Sequence, residues 1–462
     1  MAAADLKNFF DPLSVAVIGA SHDTKKLGYI ILENFVRENF HGFLFPVNPD
    51  TTPILNKEVY PSVKKIPEKV DLAVVVVPAP VVLKVVRECV EKKIPNVVVI
   101  SGGFSEIGGN GIVLEQRLRK IVGDAKGRTR VVGPNCIGVF DPRTKIDTMF
   151  LSRERSRRPK AGNIAFISQS GAVGSTVLDW LAQEGIGISK FISYGNGIDV
   201  DETDLLEFLA EDKDTRVISV YLEGMKAEGK DFLAAMKKAS AKKPVVVLKA
   251  GKTKKGTMAA ASHTGSLAGS ARIYSGAFRQ AGVVEAANWE ELFDFVKTFA
   301  TQPLPKGGRL AIITDGGGFG VLATDEAERQ RVQLPEPSLA LKKKLQANMP
   351  SHVAIHNPMD LTGDADMQRY WYAMEETLGS KEYDGAVVIS LMQVPTLEPK
   401  IVDALAEMKK FGKPMLVCAV GSDFTQRVVK NIENNGIPVF PTPERAVKAF
   451  AIMRDYKKSL KK

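Results

Sequence analysis

The sequence predicts an α/β protein made of three doubly wound domains, each on a parallel sheet. Three observations carry that prediction. Short runs of Val, Ile, Leu and Ala recur from one end of the chain to the other with stretches of helical length between them. The runs stop at clusters of Gly, Pro, Ser or Asn, the turn chemistry that closes a βα unit. The last third of the chain then repeats landmarks of the middle third, so two of the domains read as one unit used twice.

A length of 462 residues suits about three domains. At 44% hydrophobic and 25% charged residues, the chain can bury full-sized cores and is not disordered. Cys89, Cys136 and Cys418 lie far apart and form no CxxC, which fits a reducing compartment and argues against a structural zinc site; no metal ligands are assigned. The opening Met-Ala-Ala-Ala-Asp-Leu-Lys-Asn has no signal-peptide pattern and no apolar run reaches membrane-spanning length, so a cytoplasmic protein without a membrane partner is expected. The net charge of +10 suits polyphosphate ligands. Its lysines sit at element ends rather than in a stripe interleaved with aromatics, which argues against nucleic acid.

The first domain spans 1–145. Val15–Ile18 reads as a buried strand that ends in Gly19-Ala20-Ser21, with a helix from about Gly28. This is the phosphate-binding corner of a doubly wound unit. It is not GxGxxG, because a longer loop carrying Lys25 and Lys26 follows Ala20. Strands at Phe43–Val47, Leu72–Val77 and Val97–Ile100 end at Asn48-Pro49, Pro78-Ala79-Pro80 and Ser101-Gly102-Gly103. Open sheets bind ligands at these strand ends, and a nucleotide-like ligand would lie across them. The domain closes with Val132–Gly138, which contains Gly133-Pro-Asn-Cys136.

The second domain spans 155–300. Gly162–Gly174 reads as strand, tight turn and helix, and places Ser168, Ser170, Gly171 and Ala172 at a helix N-terminus. Free amides and the helix dipole make that an anion seat. Val217–Leu222 delivers Glu223 at its C-terminal end, and Pro244–Leu248 reads as a central strand leading into Lys252–Ser270. That last stretch holds His263, one of five histidines, among Ala259, Ala260, Ala261, Ser262, Gly265, Ala268 and Gly269. Small neighbours leave an imidazole uncovered, and a neutral imidazole is a good nucleophile. A solvent-exposed histidine in a basic loop is the plainer reading, as a surface carboxylate is for Glu223. If both face the sheet's crevice, Glu223 would accept the second ring N–H of His263.

The third domain spans 305–462. Gly162, Gly171 and Gly174 recur 146 residues later as Gly308, Gly317 and Gly320. Lys243-Pro244 and Gly251 recur 170 later as Lys413-Pro414 and Gly421, and Gly282 and Glu290 recur 154 later as Gly436 and Glu444. The rise from 146 to 170 puts about 24 extra residues in the later copy, expected around Met349–Asp364. The fall from 170 to 154 puts about 16 extra residues in the earlier copy between Gly251 and Gly282. His263 therefore sits in a loop that the shared fold does not need, and such loops are disproportionately functional. Gly316, Gly317 and Gly318 supply a second anion seat, and two seats face to face would hold one phosphoryl group. Asn357, Asp360 and Thr362 would either line the crevice or cap turns.

Taken jointly, Val17-Ile-Gly-Ala-Ser21, Gly133-Pro-Asn-Cys136, Ser168-Gln-Ser-Gly171, Tyr221-Leu-Glu-Gly224 and Ser262-His-Thr-Gly265 resemble the α subunits of nucleoside-diphosphate-forming acyl-CoA synthetases. Within that superfamily the chain is most similar to archaeal ADP-forming acetyl-CoA synthetase α subunits, and more distantly to succinyl-CoA synthetase. The resemblance covers essentially the whole chain. It implies a Rossmann-like CoA-binding domain followed by two flavodoxin-like ligase domains. Gly19, Ala20, Ser21, Lys26, Asn48, Pro78, Ser101 and Asn135 would line the coenzyme A site. His263 matches the phosphohistidine and Glu223 its carboxylate partner, while Ser168–Ala172 and Gly316–Gly318 match the phosphate-holding helix ends. Asp315 departs from the Asn common at that place and would repel the anion unless it points away. The family's nucleotide, ADP or ATP with Mg2+, sits on an ATP-grasp module. The three domains use all 462 residues and contain no Walker A motif. The resemblance therefore implies a separate β subunit carrying that module, in an α2β2 assembly. On this reading acyl-CoA, ADP and phosphate give carboxylate, CoA and ATP, and the glycine-flanked His263 loop carries the phosphoryl group to the partner. A nicotinamide-dependent oxidoreductase and a CoA-sensing regulator without chemistry stay open. Protection by CoA rather than NAD, and phosphorylation of His263, separate the three. The acyl group is not legible.

Overall fold

In a computed structural model, residues 3–264 and 270–461 are described, with the side chains of 3–5 and 260–264 outside the description. The first sheet is β1 (Ser14–Ile18), β2 (Phe43–Val47), β3 (Leu72–Val75), β4 (Asn96–Val99) and β5 (Arg130–Val132). All its pairings are parallel, in the spatial order 2-1-3-4-5. These strands are continuous Val/Ile/Leu/Ala runs because helices cover both faces and leave no solvent side.

The chain then crosses to a second sheet through β6 (Gly138–Asp141) and β7 (Ile146–Asp147). Both fall in a stretch that reads as the end of the first domain and its exit. Here β6 pairs antiparallel with β9 (Ile188–Ser193) and extends the second sheet. The rest of that sheet is β8 (Ala161–Ser168), β10 (Val217–Leu222), β11 (Val245–Lys249) and β12 (Val284–Ala286). Its parallel part repeats the order 2-1-3-4-5 if β8 is counted as the first strand. The strand expected to be central, β11, lies one in from the β12 edge.

Two compact units emerge, 1–287 and 288–462. The helix Trp289–Thr301, which the sequence places at the end of the middle domain, packs within the later unit. There Asp294 pairs with Arg445, and Lys297 pairs with Glu433. The later unit is built on β13 (Leu310–Thr314), β14 (Met359–Asp360), β15 (Gly385–Ile389), β16 (Met415–Cys418) and β17 (Val439–Phe440), again all parallel and in the order 2-1-3-4-5. The helices start on residues with the right chemistry: Ser170, Asp201, Asn288, Ser338, Asp366 and Thr442 each accept an amide hydrogen bond at their helix N-terminus.

The repeat holds down to side chains. The Ser168 hydroxyl donates to the Ser170 carbonyl at 2.6 Å, and the Thr314 hydroxyl, 146 residues on, donates to the Gly316 carbonyl at 3.0 Å. A Cβ on Gly174 would lie 3.2 Å from Ser168, and one on Gly320 would lie 3.2 Å from Thr314. The surplus in the earlier copy is partly the helix Lys254–Thr264, rather than a loop throughout; 265–269 lie outside the described residues. The surplus in the later copy begins earlier than Met349. It includes the helix Leu339–Ala347, inserted between Gly317–Arg329 and β14. The inserted segment has its own apolar face, with Leu341 and Leu345 buried, which the spacing argument does not detect.

Candidate active site

Every residue proposed for coenzyme A lies at the C-terminal edge of the first sheet. Gly19 follows β1 at φ +98°, where a Cβ would come 2.2 Å from the Val76 carbonyl oxygen, so only glycine fits. Ala20 is fully buried, and its carbonyl accepts from the Asn48 amide at 2.6 Å. Asn48 is thereby a brace between the loops after β1 and β2. The Ser21 hydroxyl accepts from the Asp23 amide. Lys26 is exposed at the start of the helix Leu27–Arg37, and Pro78 caps the helix Ala79–Glu91. The Ser101 hydroxyl bridges to Val77, donating to its carbonyl at 2.6 Å. Asn135 is exposed at φ +57°, and its amide reaches Asn196 at 3.4 Å. A shelf of exposed and half-buried polar atoms results, with β1 and β3 adjacent at the point where the strand order reverses.

Residues to which the sequence assigns no partner join this edge to the second sheet. Asn196 is 4% exposed, and its amide donates to Glu106 at 2.7 Å and to Glu115 at 2.9 Å. The Gly103 amide in turn donates to Glu106. Arg130 is buried and forks between Asp199 and Asp204. Their sequence separation hides these pairs: only the sheets' packing brings 106 beside 196.

At the second sheet, Ser170 caps the helix Gly171–Gln183. Ser168 is fully buried, and its hydroxyl shapes the turn. Gly171 is half-buried and Ala172 exposed, so the backbone amides of the first turn are the donors an anion would meet. Gln169, five per cent exposed, accepts the amides of Glu223 and Gly224 at 2.8 and 2.9 Å. Glu223 is only 6% exposed, not the surface carboxylate of the plainer reading. Lys249 is 2% exposed; its ammonium donates to the Glu223 carbonyl at 2.7 Å and the Ala250 carbonyl at 2.5 Å, 4.7 Å over the Tyr274 ring. Burial pushes Lys249 down, opposed by Glu223. Burial and the neighbouring Glu223 push the Tyr221 hydroxyl up. A lysine at a strand end reads in sequence as a surface charge, so nothing local marked Lys249.

His263 lies on the helix Lys254–Thr264 by its backbone, and its side chain lies outside the described residues. In the later unit, Gly316 precedes the helix that opens with Gly317 and Gly318. Asp315 is 3% exposed, and both its oxygens accept the Leu391 amide at 3.1 Å; burial pushes its carboxyl up. It serves the strand end. Asn357 accepts from the Ile312 amide and donates to Leu310 and Pro335, and Asp360 accepts from the Thr362 amide, so both do the capping and bracing of the alternative reading. The three thiols are buried, and burial pushes Cys136 and Cys418 up to about 12, which leaves them chemically quiet. Among the described residues no group of acidic, His and Cys side chains suits a metal ion, and no helix is long and apolar enough to cross a membrane.

A parallel sheet with a turn-rich C-terminal edge, followed by a duplicated flavodoxin-like unit, is the architecture of a nucleoside-diphosphate-forming acyl-CoA ligase chain, and comparison with known proteins gives that class. Residues 13–142 match the CoA binding domain and 161–299 the succinyl-CoA ligase like flavodoxin domain. The chain is 40% identical over 461 residues to the acetate–CoA ligase [ADP-forming] I subunit alpha of Pyrococcus furiosus, covering 98% of each chain. It is also 40% identical to the acetate–CoA ligase [ADP-forming] I of Archaeoglobus fulgidus, of which it covers 64%. The structure superposes on an acetyl-coenzyme A synthetase 1 of Ca. Korarchaeum cryptofilum, solved with phosphate and ADP, at TM-score 0.92 and 36% identity, covering 99% of this chain and 97% of that one. The chain belongs to the family of ADP-forming acetate–CoA ligase α subunits.

Proposed function

We propose that this chain is the α subunit of an ADP-forming acyl-CoA synthetase, acting on acetyl-CoA or another acyl-CoA. It converts acyl-CoA, phosphate and ADP into carboxylate, CoA and ATP. The observation that carries this reading is one sheet edge: a buried carboxylate, Glu223, a helix-start anion seat, and a helix absent from the second copy that bears His263. CoA lies along the first sheet's edge, against Gly19, Ala20, Ser21, Lys26, Asn48, Pro78, Ser101 and Asn135. Phosphate held by the amides of Ser170–Ala172 attacks the thioester carbonyl. The C–S bond breaks, CoA leaves as its thiol, and an acyl phosphate forms. His263 then attacks phosphorus; the P–O bond to the acyl group breaks and the carboxylate departs. Glu223 accepts the remaining ring N–H and balances the imidazolium charge. Gly316–Gly318, at the start of the corresponding helix of the second copy, are assigned as a second seat. The family implies that ADP with Mg2+ is held by a partner β subunit carrying an ATP-grasp module, in an α2β2 assembly in the cytoplasm. The name of the P. furiosus relative, an alpha subunit, supports a partner.

The test is labelling of the purified chain with radioactive phosphate and acetyl-CoA, with and without a candidate partner. Acid-labile, alkali-stable label is expected on the unaltered chain, absent from His263→Ala, and reduced at least about 100-fold in rate in Glu223→Gln. Label that persists in His263→Ala overturns the assignment of the nucleophile.

A further inference from the structure

The duplication permits an internal comparison that separates what the fold needs from what the chemistry needs. Pairing of β8 with β10 sets Tyr221 opposite Ser168, and pairing of β13 with β15 sets Ile389 opposite Thr314. Glu223, two residues past Tyr221, therefore corresponds to Leu391, two past Ile389. Gln169 corresponds to Asp315. Both accept the amide at that strand end: Gln169 from Glu223 and Asp315 from Leu391. An acceptor at this point is thus a requirement of the fold, and Asp315 is explained by it.

The third member differs. Leu222 pairs with Lys249 and Ile389 with Cys418, so the counterpart of Lys249 is Ala419. The copy with an apolar residue at the strand end has alanine there, and the copy with Glu223 has a buried lysine. Burying an ammonium is costly unless it is hydrogen-bonded and its charge is answered. Lys249 bonds two carbonyls, one of them that of Glu223, and lies over Tyr274. Tyr274 in turn accepts the Met225 amide at 3.1 Å, fixing the chain just after Glu223. The Glu223 peptide is thereby gripped at both ends, its N–H by Gln169 and its C=O by Lys249. The neutrality of Gln169 fits the same picture. A carboxylate is tolerated beside Leu391, whereas beside the Glu223 carboxylate it would add like-charge repulsion.

We infer that Lys249 is a positioning residue for the phosphoryl-transfer step, holding the Glu223 backbone and its charge in place for the histidine, with Gln169 as its neutral counterpart. The inference rests on the reading of Glu223 and His263 above. It predicts a cost in turnover rather than in CoA binding, because Lys249 lies on the second sheet and the proposed CoA residues lie on the first.

The test uses the full chain with its partner, acetyl-CoA and labelled phosphate. Lys249→Met, and Lys249→Gln, which keeps a donor but no charge, should lower the labelling rate by about 10- to 100-fold with KM for acetyl-CoA within twofold. In a Glu223→Gln background the same substitutions should add less than twofold, since a residue acting through Glu223 has nothing left to position. Labelling within twofold of the unaltered protein in both single variants overturns the proposal, as does a full multiplicative loss in the double variants. If one variant does not fold, judged by circular dichroism, the other decides; if neither folds, Lys249 is a stability residue and the proposal is wrong. Failure of the underlying reading looks different: Glu223→Gln alone would then label normally.

Discussion

At the scale of residues, the ionisable groups near the site are set by burial and by one another. Asp201 caps the helix Glu202–Glu211, accepting the Thr203 and Asp204 amides. Burial, together with Glu202 and Asp204, raises its pKa from 3.8 to about 6. The folded chain therefore holds this proton more tightly than the unfolded chain does. The sign follows: the group opposes folding progressively as pH rises from about 4 to 6, and its full cost is present above that window. Asp201→Asn keeps the cap and removes the charge. It should raise stability at pH 7 by about 1 kcal/mol, after discounting for partial exposure, with the gain vanishing below pH 4; urea melts at several pH values measure it. Gly19→Ala should abolish CoA binding measured by calorimetry, since the new methyl meets the Val76 carbonyl and the backbone sits at positive φ. Legibility at this scale was uneven. The glycines, Ser170 and His263 stand in motifs. The burial of Glu223 and the roles of Gln169, Lys249 and Asp315 depend on which strand lies beside which.

At the scale of elements, the informative one is the helix Lys254–Thr264. The copy in 288–462 passes from β16 to the helix Asp423–Asn434 without it, and the fold closes equally well. Sequence offsets locate this surplus because glycines and prolines at turns hold their spacing where helix surfaces drift. They do not say whether the surplus is helix or loop, since its alanines and glycines leave the periodicity weak. Excising 253–269 should leave CoA binding intact and shift the melting temperature by no more than a few degrees, while phosphate labelling is lost completely. Unfolding of the shortened chain would show that the segment is structural.

At the scale of the whole molecule, two cooperative bodies are expected, 1–287 and 288–462, with the helix Trp289–Thr301 belonging to the later one. Asp294 on that helix is 3% exposed and paired with Arg445. Arg445 keeps 29% of its side-chain surface exposed, so Asp294→Ala leaves the guanidinium partly solvated and should destabilise the later unit by about 1.5 kcal/mol, the worth of a hydrogen bond to a charged group. In calorimetry the transition raised by CoA should stay in place while the other falls. Movement of the CoA-sensitive transition would place this helix with 1–287 instead.

Composition, the run-and-turn pattern and the 146-residue repeat determined the α/β class, the duplicated unit and the positions of the strand ends, because these depend on local periodicity and on residues with special backbone freedom. The shared strand order 2-1-3-4-5, the passage of β6 into the second sheet and the grouping of Trp289–Thr301 with the later unit were decided only in three dimensions. So was the grip on Glu223, since pairing between strands more than twenty residues apart sets which buried charge answers which.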